Sequence, residues 1–331
     1  MNMERINRGV LKRAARENMR GVRPSALGVT AVFLLLTSVV SMVVNFVVAN
    51  PAATMYSLIT AIGAGMDGEE LIRVWLSTGG ATTAITLFLN ILMFLYSAVM
   101  SFGYNAYTLR RTDGEETRCG DLLCGFSQVG RVISMQLVIL GFSLVWCMAT
   151  VLPAVMLGSM GMFFAVMLLG DSMAATVVSL LVFYLLLLGA VLFATYLINR
   201  YAMAPYILAD NPEIGGMEAV RRSRVLMRGR LGEIFVLSLS FLGWLFLGMI
   251  IVAIVSSALW FVLITLYAAT WDPFLLAIGA YGAVIMSTLV SIPYDMWYLS
   301  YRTGTFAQYY RFLAPKAILQ TQLEADRPEP F

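Results

Sequence analysis

The 331-residue sequence contains no histidine, only three cysteines, and few charged residues, which make up 12% of the chain. Without histidine, the commonest side-chain base and metal ligand near neutral pH is missing. Three cysteines are an odd number and too few for a disulfide framework. Cys119 and Cys124 fall in a polar stretch at C-x4-C spacing, and Cys147 lies inside an apolar run. A tetrahedral zinc site needs four ligands. With no histidine and no second cysteine pair, the two are read as ordinary loop thiols, although Asp113, Glu115, Glu116 and Asp121 are near in sequence. The shortage of charge excludes most. Soluble domains carry about a quarter charged residues, so this chain lacks the polar surface needed to face water.

Apolar residues fill the space instead. They make up 60% of the sequence, and the mean hydropathy is +0.82. Charge-free segments run over Leu27–Ala49, Ala81–Leu109, Val132–Gly170, Ser172–Asn199, Ile234–Trp271 and Pro273–Tyr294. A helix needs about 20 apolar residues to cross a ~30 Å hydrocarbon core. The first segment follows a basic leader and exceeds the roughly 7–15 residues of a signal-peptide core, so it reads as an uncleaved anchor. Val132–Gly170 and Ile234–Trp271 would each exceed about 50 Å as straight helices, so hydropathy alone allows six to eight spans.

Charge distribution decides among them. Of the 22 basic residues, 21 precede the first span, join spans two to three or four to five, or follow the last; only Arg73 does not. Asp67, Glu69, Glu70, Asp171 and Asp272 take the opposite side. This positive-inside bias predicts six spans, near 27–49, 82–107, 132–156, 173–198, 234–257 and 273–294, with both termini cytoplasmic. Residues 1–313 then form one integral membrane domain, with a polar cytoplasmic tail over 314–331. The surplus residues at Gly158–Gly170 and Ser256–Trp271 read as outer-leaflet extensions or interfacial helices, and Met55–Thr60 as another.

An internal repeat shapes this arrangement. At an offset of 208, Arg13, Ala15, Arg16, Met19, Arg20 and Gly21 align without gaps on Arg221, Ser223, Arg224, Met227, Arg228 and Gly229. As helices, both segments put three arginines on one face, with a glycine at the joint to the next span. Gly103-Tyr104, Pro205-Tyr206 and Pro293-Tyr294 recur where even-numbered spans end, each pairing a bend with an interface-seeking tyrosine. The expected fold is an all-α polytopic transmembrane bundle. It has six spans as three helical hairpins, with amphipathic cytoplasmic juxtamembrane helices; Asp121–Gly130 takes the leading position of the middle hairpin.

The segment YAMAPYILADNPEIGGMEAVRRSRVLMRG, Tyr201–Gly229, resembles the bacterial membrane family catalogued as domain of unknown function 975. LKRAARENMRG at Leu11–Gly21, the Gly103-Tyr104 pair and PYDMWYLSYRTGTFAQYYRFL at Pro293–Leu313 extend the resemblance over nearly the whole chain. It implies a bacterial plasma-membrane protein with a multi-span helical fold. It implies no reaction.

The candidate contacts lie in the polar segments. Arg13, Arg16, Arg20, Arg221, Arg224 and Arg228 either fix topology or face anionic phospholipid headgroups or a membrane protein partner, each gaining about 1 kcal/mol near an anionic surface. Asn211 is placed to cap a helix beginning at Pro212, with Glu213 at its positive end. Tyr206, Asp210 and nearby arginines could instead form a polar cytoplasmic pocket. Phe306, Tyr309, Tyr310 and Phe312 around Arg311 read as an interfacial anchor.

Small residues at Gly279, Ala283, Ser287 and Ser291 suit close helix packing. Thr37, Ser41 and Asn45, with Thr86 and Asn90, form polar stripes that glue a bundle or line a conduit. No separate basic domain points to nucleic acid. No paired nucleophile and base or clustered acids point to catalysis, so no catalytic, cofactor or metal residue is assigned. The expected function is a non-enzymatic accessory or scaffold, with a transporter or facilitator of a small or amphiphilic solute as the alternative.

Overall fold

The computed structural model describes residues 8–19, 25–49, 57, 60–170, 172–271 and 273–315. Arg20, Gly21, most of Met55–Thr60 and the tail from residue 316 lie outside them. Among the described residues every regular element is helical. Among them, too, five helical stretches are long and apolar enough to cross a membrane: Ala26–Val44, Ile85–Thr112, Cys119–Ala165, Thr176–Asp210 and Leu231–Thr270. Leu181, Leu185 and Phe193 are among many large apolar side chains exposed along them. Such surface suits lipid rather than water, and a helix satisfies its own backbone groups there. The protein is a helical membrane protein.

The chain divides into two compact units. The first comprises Gly9–Phe126 and Phe241–Gln308. It begins with α1 (Arg8–Met19) and α2 (Ala26–Leu34), then a π turn at Leu35–Val39 and α3 (Val40–Ala49). In the π turn the Thr37 hydroxyl bonds back to the Phe33 carbonyl, which answers the disturbed backbone ladder.

Next comes α4 (Gly68–Thr112), 45 residues that begin well before the apolar run. Asp67 accepts from the Glu70 N–H at 2.9 Å, and the Glu70 carboxylate reaches back to the Asp67 N–H. That reciprocal box is written in the sequence as D-G-E-E, and it starts the helix a dozen residues earlier than hydropathy does.

A 3-10 helix at Cys119–Gln128 lies across α4. The crossing rests on two glycines. A Cβ at Gly103 would fall on the Leu122 carbonyl oxygen and 2.7 Å from its carbon, and one at Gly125 would lie 2.5 Å from the Val99 oxygen. Leu122 thereby joins Val29, Phe33, Met100, Tyr104 and Tyr107 in a buried cluster.

Thr30 of α2 adds a polar tie. Its hydroxyl is 2.8 Å from Tyr104 Oη and 2.6 Å from Ser300 Oγ. Thr30→Val keeps the shape and removes both ties, while Ser300 keeps its bond to the Met296 carbonyl, so a loss of about 1 kcal/mol is expected. Thermal unfolding in detergent checks it; an unchanged midpoint would show that water or lipid replaces the hydroxyl.

The first unit also holds α10 (Leu242–Thr270) and most of α11 (Pro273–Leu313). Gly279 packs on the Leu263 side chain, and Ala283 and Ser287 are buried, so this small-residue face does bring helices close. The other stripes behave differently. Thr37 and Asn90 bond to carbonyls of their own helix, and Asn90 is exposed.

The second unit comprises Met1–Arg8, Ser127–Ser240 and Tyr309–Phe331. Its long helices are α5 (Val129–Leu169), continuous through Pro153, and α6 (Met173–Ile198). The surplus at Gly158–Leu169 is thus an unbroken extension of one helix, with Gly158 seated on the Phe183 ring. The short elements are a 3-10 turn at Asn199–Tyr201, α7 (Ala204–Asp210), α8 (Gly216–Leu226) and α9 (Leu231–Leu239). The second overlong run breaks at its start, between α9 and α10, rather than near Ser256.

Two local expectations fail. Asn211 does not open a helix: α7 ends at Asp210, and the Asn211 amide donates back to the Ile207 carbonyl at 3.2 Å. The next helix starts at Gly216, because Pro212 to Gly215 form a turn. Likewise Phe306, Tyr309 and Tyr310 are buried, leaving only Phe312 of that set exposed. Helix α11 continues through Pro293 to Leu313, and Phe306, Tyr309 and Tyr310 pack against protein instead of anchoring in a bilayer.

Candidate functional site

Helix α8 is the distinctive polar element of the second unit. Gly216 opens it where no side chain fits, since a Cβ would lie 2.5 Å from the Arg131 carbonyl oxygen of α5. Ala219, Val220 and Ser223 form its buried face. Ser223 Oγ donates to the Arg200 carbonyl at 2.9 Å, and the Arg200 guanidinium lies over Trp146, 5.4 Å from the ring centre. The outward face carries Met217, Arg221, Arg222, Arg224 and Val225, all exposed.

The arginines are not equivalent. Glu218 accepts from Arg221 at 2.8 and 3.1 Å and from Arg222 at 3.0 Å. Those donors, Arg221 first, hold the Glu218 carboxyl below the usual carboxylate value, while Glu218 raises Arg221. By linkage the pairing stabilises above an unfolded carboxylate pKa of about 4.3 and is lost only as pH falls through the lower folded value. Arg224 instead lies over Phe142, 5.8 Å from its ring centre. Arg228 is exposed and falls outside the helix, which ends at Leu226; Gly229 takes a φ of 76° in the following turn. The expected face of three arginines is therefore two on the helix and one in the turn.

The aligned helix α1, in the first unit, repeats this pattern in part, with Val10 and Ala14 where α8 has Glu218 and Arg222. Ala15 and Ser223 are buried, as are Leu11 and Ala219. Arg13 and Arg221 are exposed. Arg16 lies over Tyr301, 5.0 Å from the ring centre, matching Arg224 over Phe142. Guanidinium stacking of this kind holds a cation at an apolar boundary. Arg20, the counterpart of Arg228, lies outside the described residues.

Tyr206 and Asp210 both find partners on α11. Arg311 of α11 grips Asp210 through two bonds of 2.6 and 2.7 Å, and Tyr310 Oη donates to the same carboxylate at 2.8 Å. Tyr206 stacks on Tyr310 with ring centres 5.6 Å apart. Tyr104 and Tyr206 are both buried, so these two tyrosines serve helix contacts rather than a membrane interface. The clamp borders a cavity of about 530 Å³. Glu218, Arg221, Arg222, Ile207, Val225 and Leu226 are among the residues that line it.

Glu218 and Arg222 are residues that the sequence pattern does not bring forward, and Tyr310 and Arg311 are ones it reads as an interfacial anchor and not as partners of Asp210. For the first two the signal was present, since E-x-x-R-R puts one carboxylate within reach of both arginines on a helix. For Arg311, 101 positions from Asp210, no local signal exists.

The model of a family described as "Protein of unknown function (DUF975)" matches residues 3–316. The chain belongs to this family. No curated protein and no solved structure matches it. Within this DUF975 chain the match spans both basic helices, the Asp210 clamp and the cavity, leaving only the ends uncovered.

Proposed function

We propose that the protein is a non-catalytic scaffold of the bacterial plasma membrane, with six spans and both termini cytoplasmic. Its basic helices α1 and α8 hold its polar face against anionic phospholipid. The observation that carries this reading is the outward face of α8, where Met217 and Val225, 68% and 58% exposed, stand beside Arg221 and Arg224. Large apolar side chains among arginines suit the boundary where headgroups meet hydrocarbon. The exposed Arg13 and the stacking of Arg16 on Tyr301 in α1 support a second basic contact. The segregation of 21 basic residues supports the orientation.

The facilitator alternative draws less support, because Thr37 and Asn90 turn their polar groups onto their own helices. The discriminating experiment compares the wild type with an Arg13→Gln, Arg224→Gln, Arg228→Gln variant. Each is reconstituted in mixed phosphatidylethanolamine and phosphatidylglycerol, and the lipid retained on purification is counted. Three lost charges remove about 3 kcal/mol of attraction, so enrichment of phosphatidylglycerol should fall by half or more. Unchanged enrichment with loss of a co-purifying protein would assign the face to a protein partner instead.

A further inference from the structure

The cavity beside Glu218 has a composition that a general lipid-facing surface does not require. Its volume of about 530 Å³ lies in the ~300–1,000 Å³ range of small-ligand sites. Its lining combines charged and hydrocarbon side chains. Arg221 uses Nε and Nη2 on the Glu218 carboxylate, whereas Arg222 uses only Nε. A guanidinium has five N–H donors in a planar fork, so Arg222 retains donors suited to an oxyanion. Two guanidiniums and one carboxylate leave a net single positive charge in the lining. Beside them, Ile207, Val225, Leu226 and Ala314 offer no polar side chain, with Asn211 and Tyr310 completing the lining, and a hydrated inorganic anion gains nothing from the apolar four.

We propose that this cavity binds one molecule of a monoanionic alkyl phosphodiester, the chemistry of a phosphatidylglycerol headgroup with the start of its acyl chain. The phosphodiester meets Arg222, with Arg221 beside it, and the chain lies on Ile207, Val225 and Leu226. Glu218 keeps both guanidiniums oriented and rejects dianions, because a second negative charge on the ligand would face its carboxylate. Arg311 and Asp210 act at one remove by fixing Tyr310, which forms part of the wall. The inference rests on the reading that this face meets anionic lipid, but it adds a discrete, saturable site.

The test is calorimetric titration of the full chain in non-ionic detergent with dihexanoyl phosphatidylglycerol below its micelle concentration. Glycerol 3-phosphate and dihexanoyl phosphatidylcholine are titrated alongside. One site is expected for the phosphatidylglycerol, with either comparison compound weaker by about tenfold or more, a difference of ~1.4 kcal/mol. Arg222→Gln should weaken binding by a similar factor. Val225→Trp, at an exposed position that leaves the core alone, should block it. The Arg13, Arg224, Arg228 variant should bind as the wild type does.

Equal affinity for glycerol 3-phosphate would reduce the site to a free-phosphate site and overturn the proposal. Equal affinity for phosphatidylcholine, or undiminished binding to Val225→Trp, would overturn it as well. If the wild type binds no dihexanoyl phosphatidylglycerol yet enriches phosphatidylglycerol from membranes, the surface reading survives and the cavity site falls. Saturable binding without enrichment gives the reverse.

Discussion

Gly103→Ala should prevent recovery of folded protein, or lower stability by about 3 kcal/mol or more, at the upper end of overpacking costs. The reason is geometric. The atoms that a methyl group would meet are the carbonyl oxygen and carbon of Leu122, and backbone cannot step aside by changing rotamer. Relief would require the 3-10 helix at Cys119–Gln128 to lift off α4. That movement would withdraw Leu122 from the cluster it shares with Val29, Phe33 and Tyr104, and would pull Gly125 from the Val99 carbonyl.

A control separates this clash from any general cost of substitution. Gly141 sits exposed in α5 with nothing near its missing Cβ. Alanine there should be neutral or stabilising by up to about 1 kcal/mol, since glycine is the poorer helix former. Size-exclusion profiles and thermal midpoints of both variants in one detergent provide the comparison. A Gly103→Ala midpoint within about 2 °C of wild type would mean the crossing yields at little cost.

Gly103 also shows what a sequence can and cannot disclose. Its place before Tyr104, at the end of an apolar run, marks it as a bend or a flexible joint. In the structure α4 passes through it without interruption. Glycine is needed there for close approach to Leu122, a property of a partner backbone outside its own helix. The helical class, the apolar stretches and the α1–α8 correspondence were legible because each depends on periodicity or charge within one segment. The site was legible only in part. Tyr206 and Asp210 stood out, but their partners come from α11, and proximity across such a separation leaves no trace in one sequence. The aromatic residues after Pro293 misled for the same reason: an amphipathic pattern shows that one face is apolar, not whether protein or lipid covers it.

The Asp210–Arg311 clamp extends that lesson into energetics. Asp210→Asn should destabilise the protein by about 3 kcal/mol, and Arg311→Gln by a similar amount. The two side chains are only 15% and 12% exposed, so removing one charge leaves the other poorly solvated and without its counterion. Tyr310 would still find an acceptor in the amide oxygen that Asp210→Asn introduces, which is why the loss is attributed to the ion pair and not to the hydroxyl. The double variant should recover much of the loss, giving a coupling energy of about 2 kcal/mol in a double-mutant cycle. Strict additivity would instead make the clamp a surface pair of little consequence. The same variants bear on the cavity. With Asp210 neutralised, Arg311 no longer pins the turn of α11 that carries Tyr310, and Tyr310 forms cavity wall. Asp210→Asn should therefore weaken dihexanoyl phosphatidylglycerol binding even at temperatures where the protein stays folded, whereas Thr30→Val, in the other unit, should lower the unfolding midpoint and leave that binding unchanged.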